Sequence, residues 1–344
     1  MKPSSIARAL THAVNIRRPV FVWGPPGTGK SDVVANVAKT LDRELVDVRL
    51  NLLDPVDVKG FPVPDSESGV MRWLPADFLP PMYVKGKGSK MMPNESAGIL
   101  FLDEFNSAPP ATQAAGYQLI LNHRIGNYVL PKNWSIIAAG NRQGDRGVTH
   151  KMPSPLANRL IHLDMDIDLD DWATWAVKNG VHNDVLGFAR FRSNLLHKFD
   201  PAENPRAFPS PRSWMFVSEL IKDNKLTPSE ELEMIAGTVG EGAASEFRAY
   251  RESKAHLPNI DKILVDPDSV PVPSDDKPAV MFALSTELAS RATSNNFDRI
   301  MRYVKRMPVE FQVVVVRDAS RRDNSVSETD AFNKWAIANS NVLT

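Results

Sequence analysis

Short continuous apolar runs alternate with helically spaced apolar positions through the first half of the chain, and helical spacing alone takes over in the second. Most of the runs at 20–23, 45–50, 99–102, 134–138 and 160–163 are short and continuously apolar, as expected of strands covered on both faces. After the first run, Val33, Val34, Val37, Ala38 and Leu41 recur at helical spacing; before it, Ile6, Ala9, Leu10, Ala13 and Val14 do the same. Residues 15–165 therefore predict a parallel α/β sandwich. From Asp168 the pattern is helical: Trp172, Trp175 and Ala176 share a face, and 185–199 is dense in Leu and Phe. Ser210 reads as an N-cap with Pro211 at the first helical position, and Trp214, Val217, Leu220 and Ile221 form the stripe that follows. The segment 267–278, rich in Pro and Asp, reads as a linker or long loop, and 281–307 as helical. The four valines at 313–316 favour a strand, but the start Pro308, Val309, Glu310 favours a helix, and the helix is the expectation.

Composition narrows the field. The chain of 344 residues is 42% hydrophobic and 24% charged, which is ordinary for a globular protein. Lys+Arg and Asp+Glu are equal at 41 each, so net charge gives no whole-chain case for nucleic acid or an acidic membrane. The absence of cysteine excludes disulfides, thiolate metal sites and cysteine nucleophiles, and suits the cytoplasm. The amphipathic start does not read as a secretory signal, and no run is long and apolar enough to span a bilayer. Prolines cluster at 55–93 and 201–211 and mark loop-rich insertions.

Candidate chemistry begins where the first strand ends. Gly24, Pro25, Pro26, Gly27, Thr28, Gly29, Lys30 and Ser31 fit the phosphate-binding loop G-x-x-x-x-G-K-[ST] at every position, between a strand and a helix as the motif requires. Glycines let backbone N–H groups curl around phosphate oxygens at a helix N-terminus. Lys30 would reach the β/γ-phosphates of ATP, and the Ser31 hydroxyl would hold Mg²⁺.

The run Ile99, Leu100, Phe101, Leu102 ends in Asp103 and Glu104. Asp103 can share the magnesium, and Glu104 can act as general base on a water. Strand-end acids also arise simply by facing solvent. Asn141, after the run at 134–138, is placed to orient that water or the γ-phosphate if the loop and acid strands are neighbours; Gly-Asn is equally a turn signal. Arg159 immediately precedes a buried strand, and Arg212 lies in the first turn of a helix, where the macrodipole disfavours a cation. Each suits an anionic partner such as a γ-phosphate, or an ordinary surface ion pair.

In order and spacing these motifs resemble an AAA+ ATPase, and more narrowly the MoxR family: GPPGTGKS at 24–31, ILFLDEFNSA at 99–108, AAGN at 138–141, PLANRL at 155–160 and SPRSW at 210–214. The family's acid-strand motif continues with an asparagine and an alanine, matched by Asn106 and Ala108. The resemblance covers about residues 10–225. It implies an AAA+ core at 1–165, a helical lid at 166–265 and a C-terminal helical extension at 266–344. Two hairpins fit it, one in helix 2 at about 54–79 and one before Asn141 at about 124–130; both also read as ordinary surface excursions. By resemblance Asn141 is sensor 1, Arg159 the arginine finger and Arg212 sensor 2. Arg159 would serve ATP held by a neighbouring copy, implying a homo-oligomeric ring, a hexamer in this family, with magnesium as cofactor. Arg142 and Arg146 are nearby alternatives for that cation. The family is commonly paired with von Willebrand factor A domain proteins, whose maturation or activation it drives like a chaperone.

Other functions remain open at this point. A nucleic-acid motor has Lys85, Lys87, Lys90 and Arg124 in its favour, with the acidic turn at Asp65 and Glu67 against it. A non-hydrolysing nucleotide switch is disfavoured by Glu104 and Arg159. A small-molecule kinase fits Arg212 and the helical part poorly.

Overall fold

Alternate residues along each central strand enter different cores. Val20 and Val22, Ile99 and Phe101, and Ile137 and Ala139 join one apolar cluster. Phe21, Leu100, Leu102, Ile136 and Ala138 join another on the opposite face. That double burial explains the continuous apolar runs. The computed structural model describes residues 1–67, 69–86, 90–145, 149–200, 206–223 and 225–340. The chain divides into two units, Met1–Ile167 and Asp168–Thr344.

In the first unit, α1 (Pro3–Asn15) leads to β1 (Val20–Trp23), then α2 (Lys30–Thr40) and β2 (Glu44–Arg49). Next come α3 (Pro55–Lys59), three further pairs of short strands and the rest of the sheet. The pairs are β3 (Phe61–Asp65) with β4 (Val70–Leu74), β5 (Tyr83–Lys85) with β6 (Met91–Pro93), and β8 (Arg124–Ile125) with β9 (Tyr128–Val129). The remaining elements are β7 (Gly98–Asp103), α4 (Pro110–Asn122), β10 (Trp134–Gly140), α5 (Ser154–Ala157) and β11 (Ile161–Asp164). The five-stranded sheet runs β11-β1-β10-β7-β2, all parallel. Ile6, Leu10, Ala13 and Val14 of α1 pack with Val34, Val37 and Ala38 of α2 on one face. Leu119 and Ile120 of α4, with Val58 of α3, lie in the cluster on the other.

The hairpins expected around 54–79 and 124–130 are present as β3–β4 and β8–β9. The turn of the first includes Ser68, which lies outside the described residues. The β5–β6 hairpin was not expected from the sequence: its strands are three residues each, too short to show periodicity. It carries Lys85 and Lys90 on either side of residues 87–89, so Lys87 lies outside the described residues.

The second unit is helical: α6 (Leu169–Lys178), α7 (Asn183–Phe191), α8 (Pro211–Asp223), α9 (Pro228–Val239), α10 (Glu241–Ser253), α11 (Ile260–Val265), α12 (Pro278–Arg291), α13 (Phe297–Val304), α14 (Val309–Arg322) and α15 (Asp330–Ala338). Ser210 does cap α8: its Oγ accepts from the Ser213 N–H at 3.1 Å while the Ser213 Oγ accepts from the Ser210 N–H at 2.7 Å. Pro201 of the preceding proline cluster lies outside the described residues. The four-valine segment is helical within α14, because Phe311, Val315 and Ala319 recur every fourth residue and are buried. The helix expected over 281–307 is broken between α12 and α13, where the Asn296 carboxamide accepts from the Thr293 N–H at 2.8 Å and donates to the Arg291 carbonyl at 2.9 Å. Segment 267–278 is not a loose linker, since Tyr303 Oη donates to the Pro271 carbonyl at 2.9 Å and Arg306 to those of Pro267 and Val270.

One cap gives this unit a pH dependence. His182 precedes α7, and its Nδ1 accepts from the Asp184 N–H at 3.1 Å, so the ring must be neutral there. Burial holds the imidazole below its ordinary pKa of 6.5, outweighing the opposite pull of Asp184; Lys254 and Arg251 also lower it, and Glu287 raises it. A lowered folded pKa means the unfolded chain binds the proton first. The cap's contribution is therefore complete above about pH 6.5 and lost as pH falls below it. Thermal unfolding of the full chain between pH 7.5 and 5 is expected to show a midpoint that falls less steeply for His182→Asn, whose amide oxygen still caps. Equal slopes would remove His182 as the titrating group, leaving His123, which burial also lowers.

Candidate active site

β1 delivers Gly24, whose N–H donates to the Gly140 carbonyl at 3.3 Å and ties the loop to β10. Gly27 (φ 76°) and Gly29 (φ 87°) then take left-handed backbone that other residues rarely adopt, and Gly29 stands as the N-cap of α2. Thr28 Oγ1 donates to the Pro25 carbonyl at 3.0 Å and closes the curl. Lys30, only 7% exposed, donates through Nζ to the carbonyls of Gly24 (2.8 Å) and Pro25 (3.1 Å) and to Asn141 Oδ1 (3.1 Å). The ammonium thus sits inside the loop that would hold phosphate oxygens.

β1 and β7 are not direct neighbours, so the condition on which the sequence placed Asn141 is not met as stated. β10 lies between them. That order itself puts Asn141 between the loop and the acids. Its Nδ2 donates to Glu104 Oε2 at 3.2 Å while its Oδ1 accepts from Lys30, so one carboxamide bridges the candidate base and the candidate phosphate-binding cation. The Ser107 hydroxyl holds the same Glu104 oxygen at 2.9 Å. Glu104 takes a positive φ of 51°, which turns it out of β7. Beside it, Ser31 Oγ donates to Asp103 Oδ2 at 2.9 Å, and the other Asp103 oxygen accepts from the Glu104 N–H at 2.9 Å.

Three residues of this network were not singled out for a role in the sequence. Asn106 Nδ2 donates to the Asn141 carbonyl at 2.7 Å and its Oδ1 accepts from the Asn141 N–H at 3.2 Å, clamping the backbone of Asn141. Gly140 makes room for that clamp, since a Cβ there would lie 1.9 Å from Asn106 Oδ1. Ser107 follows Asn106 in the motif, so both were in view but without a contact to assign. Asp47 on β2 is the third. Although solvent reaches it, partial burial raises its carboxyl above the usual range, and the nearby Asp103 raises it further, with Arg49 opposing. Its signal is only that β2 lies beside β7.

Of the three arginines offered as a cation for a neighbouring site, Arg142 is engaged: its guanidinium donates to Asp166 at 2.8 Å and to the Met165 carbonyl at 3.2 Å, and lies 3.3 Å from Asp164. Its hydrogen bond is the main cause that holds the Asp166 carboxyl below the ordinary range. Arg146 lies outside the described residues. Arg159, after α5, is exposed, with no side-chain hydrogen bond or ion pair among the described residues. Arg212, exposed in the first turn of α8, belongs to the second unit. So the fold brings together 24–31, Asp103, Glu104 and Asn141, and leaves Arg159 facing solvent.

Residues 19–160 match the family model of the AAA domain, dynein-related subfamily. That stretch is similar to an AAA domain. The boundaries enclose the loop, Asp103, Glu104, Asn141 and Arg159. Midasin of Giardia intestinalis is 27% identical over 190 residues, 52% of this chain but 4% of that protein, so the chain matches only a small piece of its curated relative. Among solved structures, RuvB of Thermotoga maritima, described as a Holliday junction branch migration motor, is 16% identical with a TM-score of 0.37, covering 76% of this chain and 74% of that one. NtrX of Brucella abortus is 14% identical with a TM-score of 0.41, covering 97% and 67%. Among the described residues, no helix beside or beyond the AAA domain is long and apolar enough to cross a membrane.

Proposed function

We propose that this chain is a MoxR-type AAA+ ATPase. In a ring of like subunits, a hexamer by the family's habit, hydrolysis of Mg-ATP drives remodelling or chaperone-like activation of a partner protein in the cytoplasm. A von Willebrand factor A domain protein is the partner the resemblance implies. The observation that carries the reading is the chain Lys30, Asn141, Glu104, set beside the Ser31–Asp103 pair.

Each residue then has a task. Loop N–H groups and Lys30 hold the phosphates. Glu104, oriented by Ser107 and Asn141, takes the proton of the attacking water. The donor set fits magnesium: a hydroxyl and a carboxylate oxygen converge at 2.9 Å, and among the described residues no three acids or histidines form a cage of their own. Ser31 and Asp103 would thus share the ion with substrate phosphates. When bound, magnesium neutralises charge on those phosphates. Arg159 supplies transition-state charge to a neighbour's nucleotide, and Arg212 senses the γ-phosphate from the helical part. The domain scheme of core to 165, lid to 265 and extension beyond belongs to the same reading.

The test is steady-state ATP hydrolysis with Mg²⁺ across a protein dilution series, with sedimentation recorded at each concentration. Specific activity is expected to rise with concentration as oligomers form. Full activity in a sedimenting monomer would remove the shared site, and with it the ring.

A further inference from the structure

Trp23 and His162 form a bridge that the steps above do not use. Trp23 ends β1, directly before Gly24 of the phosphate loop. Its Nε1–H donates to His162 Nδ1 at 2.9 Å, and the two rings stack with centroids 6.0 Å apart and planes 21° from parallel. Phe21 packs on Trp23 at 4.1 Å between centroids, anchoring the bridge in the core. The second ring nitrogen of His162, Nε2, lies 2.9 Å from the Ala157 carbonyl. Because Nδ1 accepts, Nε2 carries the proton and donates, so its two partners fix the tautomer.

Ala157 is the last residue of α5 and stands two positions before Arg159. Its carbonyl also accepts from the Leu160 N–H at 3.3 Å, and the Arg159 N–H donates to the Leu156 carbonyl at 2.9 Å. The turn that carries Arg159 is therefore closed on itself and held from outside by His162. With the guanidinium exposed and without a side-chain partner among the described residues, the backbone of this turn sets where the arginine starts from.

We infer that His162 is a positioning residue. Hydrogen-bonded between Trp23 at the root of the phosphate loop and Ala157 before Arg159, it holds the 154–160 turn so that Arg159 reaches the nucleotide of a neighbouring copy. This rests on the reading of Arg159 as the cation lent between subunits. It adds that one side-chain bridge ties the loop holding a subunit's own nucleotide to the arginine that the subunit lends.

The test uses His162→Phe, which keeps the ring stack and loses both hydrogen bonds. Turnover is expected to fall about tenfold, the scale of the hydrogen bonds removed, with affinity for a fluorescent ATP analogue unchanged. Subunit mixing then separates a lent defect from a local one. Glu104→Gln subunits cannot hydrolyse but still lend an intact Arg159. Adding them in excess is expected to raise turnover per His162→Phe subunit toward the wild-type value. Arg159→Ala mixed with Glu104→Gln is the control and is expected to recover in the same way. If Arg159→Ala recovers and His162→Phe does not, His162 acts on its own subunit's loop and the inference is overturned. If Arg159→Ala itself fails to recover, the lent-arginine reading falls, and the positioning role with it. Trp23→Phe keeps an aromatic ring but has no donor for Nδ1. It is expected to show a smaller loss that mixing also restores, which keeps the question answerable should His162→Phe fail to fold.

Discussion

Glu104→Gln is expected to bind nucleotide as the wild type does and to hydrolyse it about 10²–10⁴-fold more slowly, the range for removing a general base. The surroundings make this a clean substitution. The Glu104 oxygen that accepts from Ser107 and Asn141 has a counterpart in the glutamine carbonyl, so the hydrogen bonds that orient the side chain can persist. Glutamine has the same shape and meets the same positive φ of 51°. The loop carbonyls of Gly24 and Pro25 that hold Lys30 are not touched. What disappears is the ability to take a proton from water. Phosphate release measured beside the affinity for an ATP analogue separates the outcomes. Slow release with normal affinity supports the base. Undiminished release would mean that another group takes the proton, and Asp47, whose carboxyl is pushed up by burial and by Asp103, would be the next residue to replace.

The parts of this site that were legible in the sequence are those set by backbone geometry. The phosphate loop needs glycine where φ is positive, at Gly27 and Gly29, and a fixed spacing to Lys30, so its pattern is written in consecutive residues. The strands were legible because burial on both faces makes the central ones almost wholly apolar, and their ends lie within about two residues of the apolar runs. Strand order was not, because it depends on which crossover packs on which face, and whether β1 and β7 adjoin had to stay a condition. Asn106 was visible as a letter in a motif, yet its clamp on Asn141 joins residues 35 apart and needs the β7–β10 pairing to exist. The His162 bridge reaches 139 residues back to Trp23, with no local pattern to announce it. Helical periodicity located α14 despite its valines, but could not locate the break at Asn296, which a single side chain makes by hydrogen-bonding to its own turn.

In the second unit the largest stability effect is expected at Asp318. Its carboxylate is fully buried, and it accepts from both terminal nitrogens of Arg190, at 2.5 and 2.7 Å; the Arg190 side chain is 7% exposed. The two residues lie 128 positions apart, on α14 and α7. Asp318→Ala is expected to lower the unfolding free energy by about 3–5 kcal/mol, because it leaves a buried guanidinium unpaired. The environment worsens that outcome. Arg321 approaches Asp318 at 3.5 Å, and burial already pulls both Arg321 and Arg322 below the ordinary arginine pKa, with Asp318 the first counterweight in each case. Without Asp318 these cations repel one another across a region water reaches poorly. The double replacement Arg190→Met with Asp318→Leu is expected to recover part of the loss, since an apolar pair removes the buried charge and its desolvation together. Recovery should be incomplete because Arg321 and Arg322 still lose their counterweight. Calorimetric unfolding of the full chain checks both. A loss of under about 1 kcal/mol in Asp318→Ala, the scale of a surface pair, would mean that water reaches Arg190 and that the pair is not what joins α7 to α14.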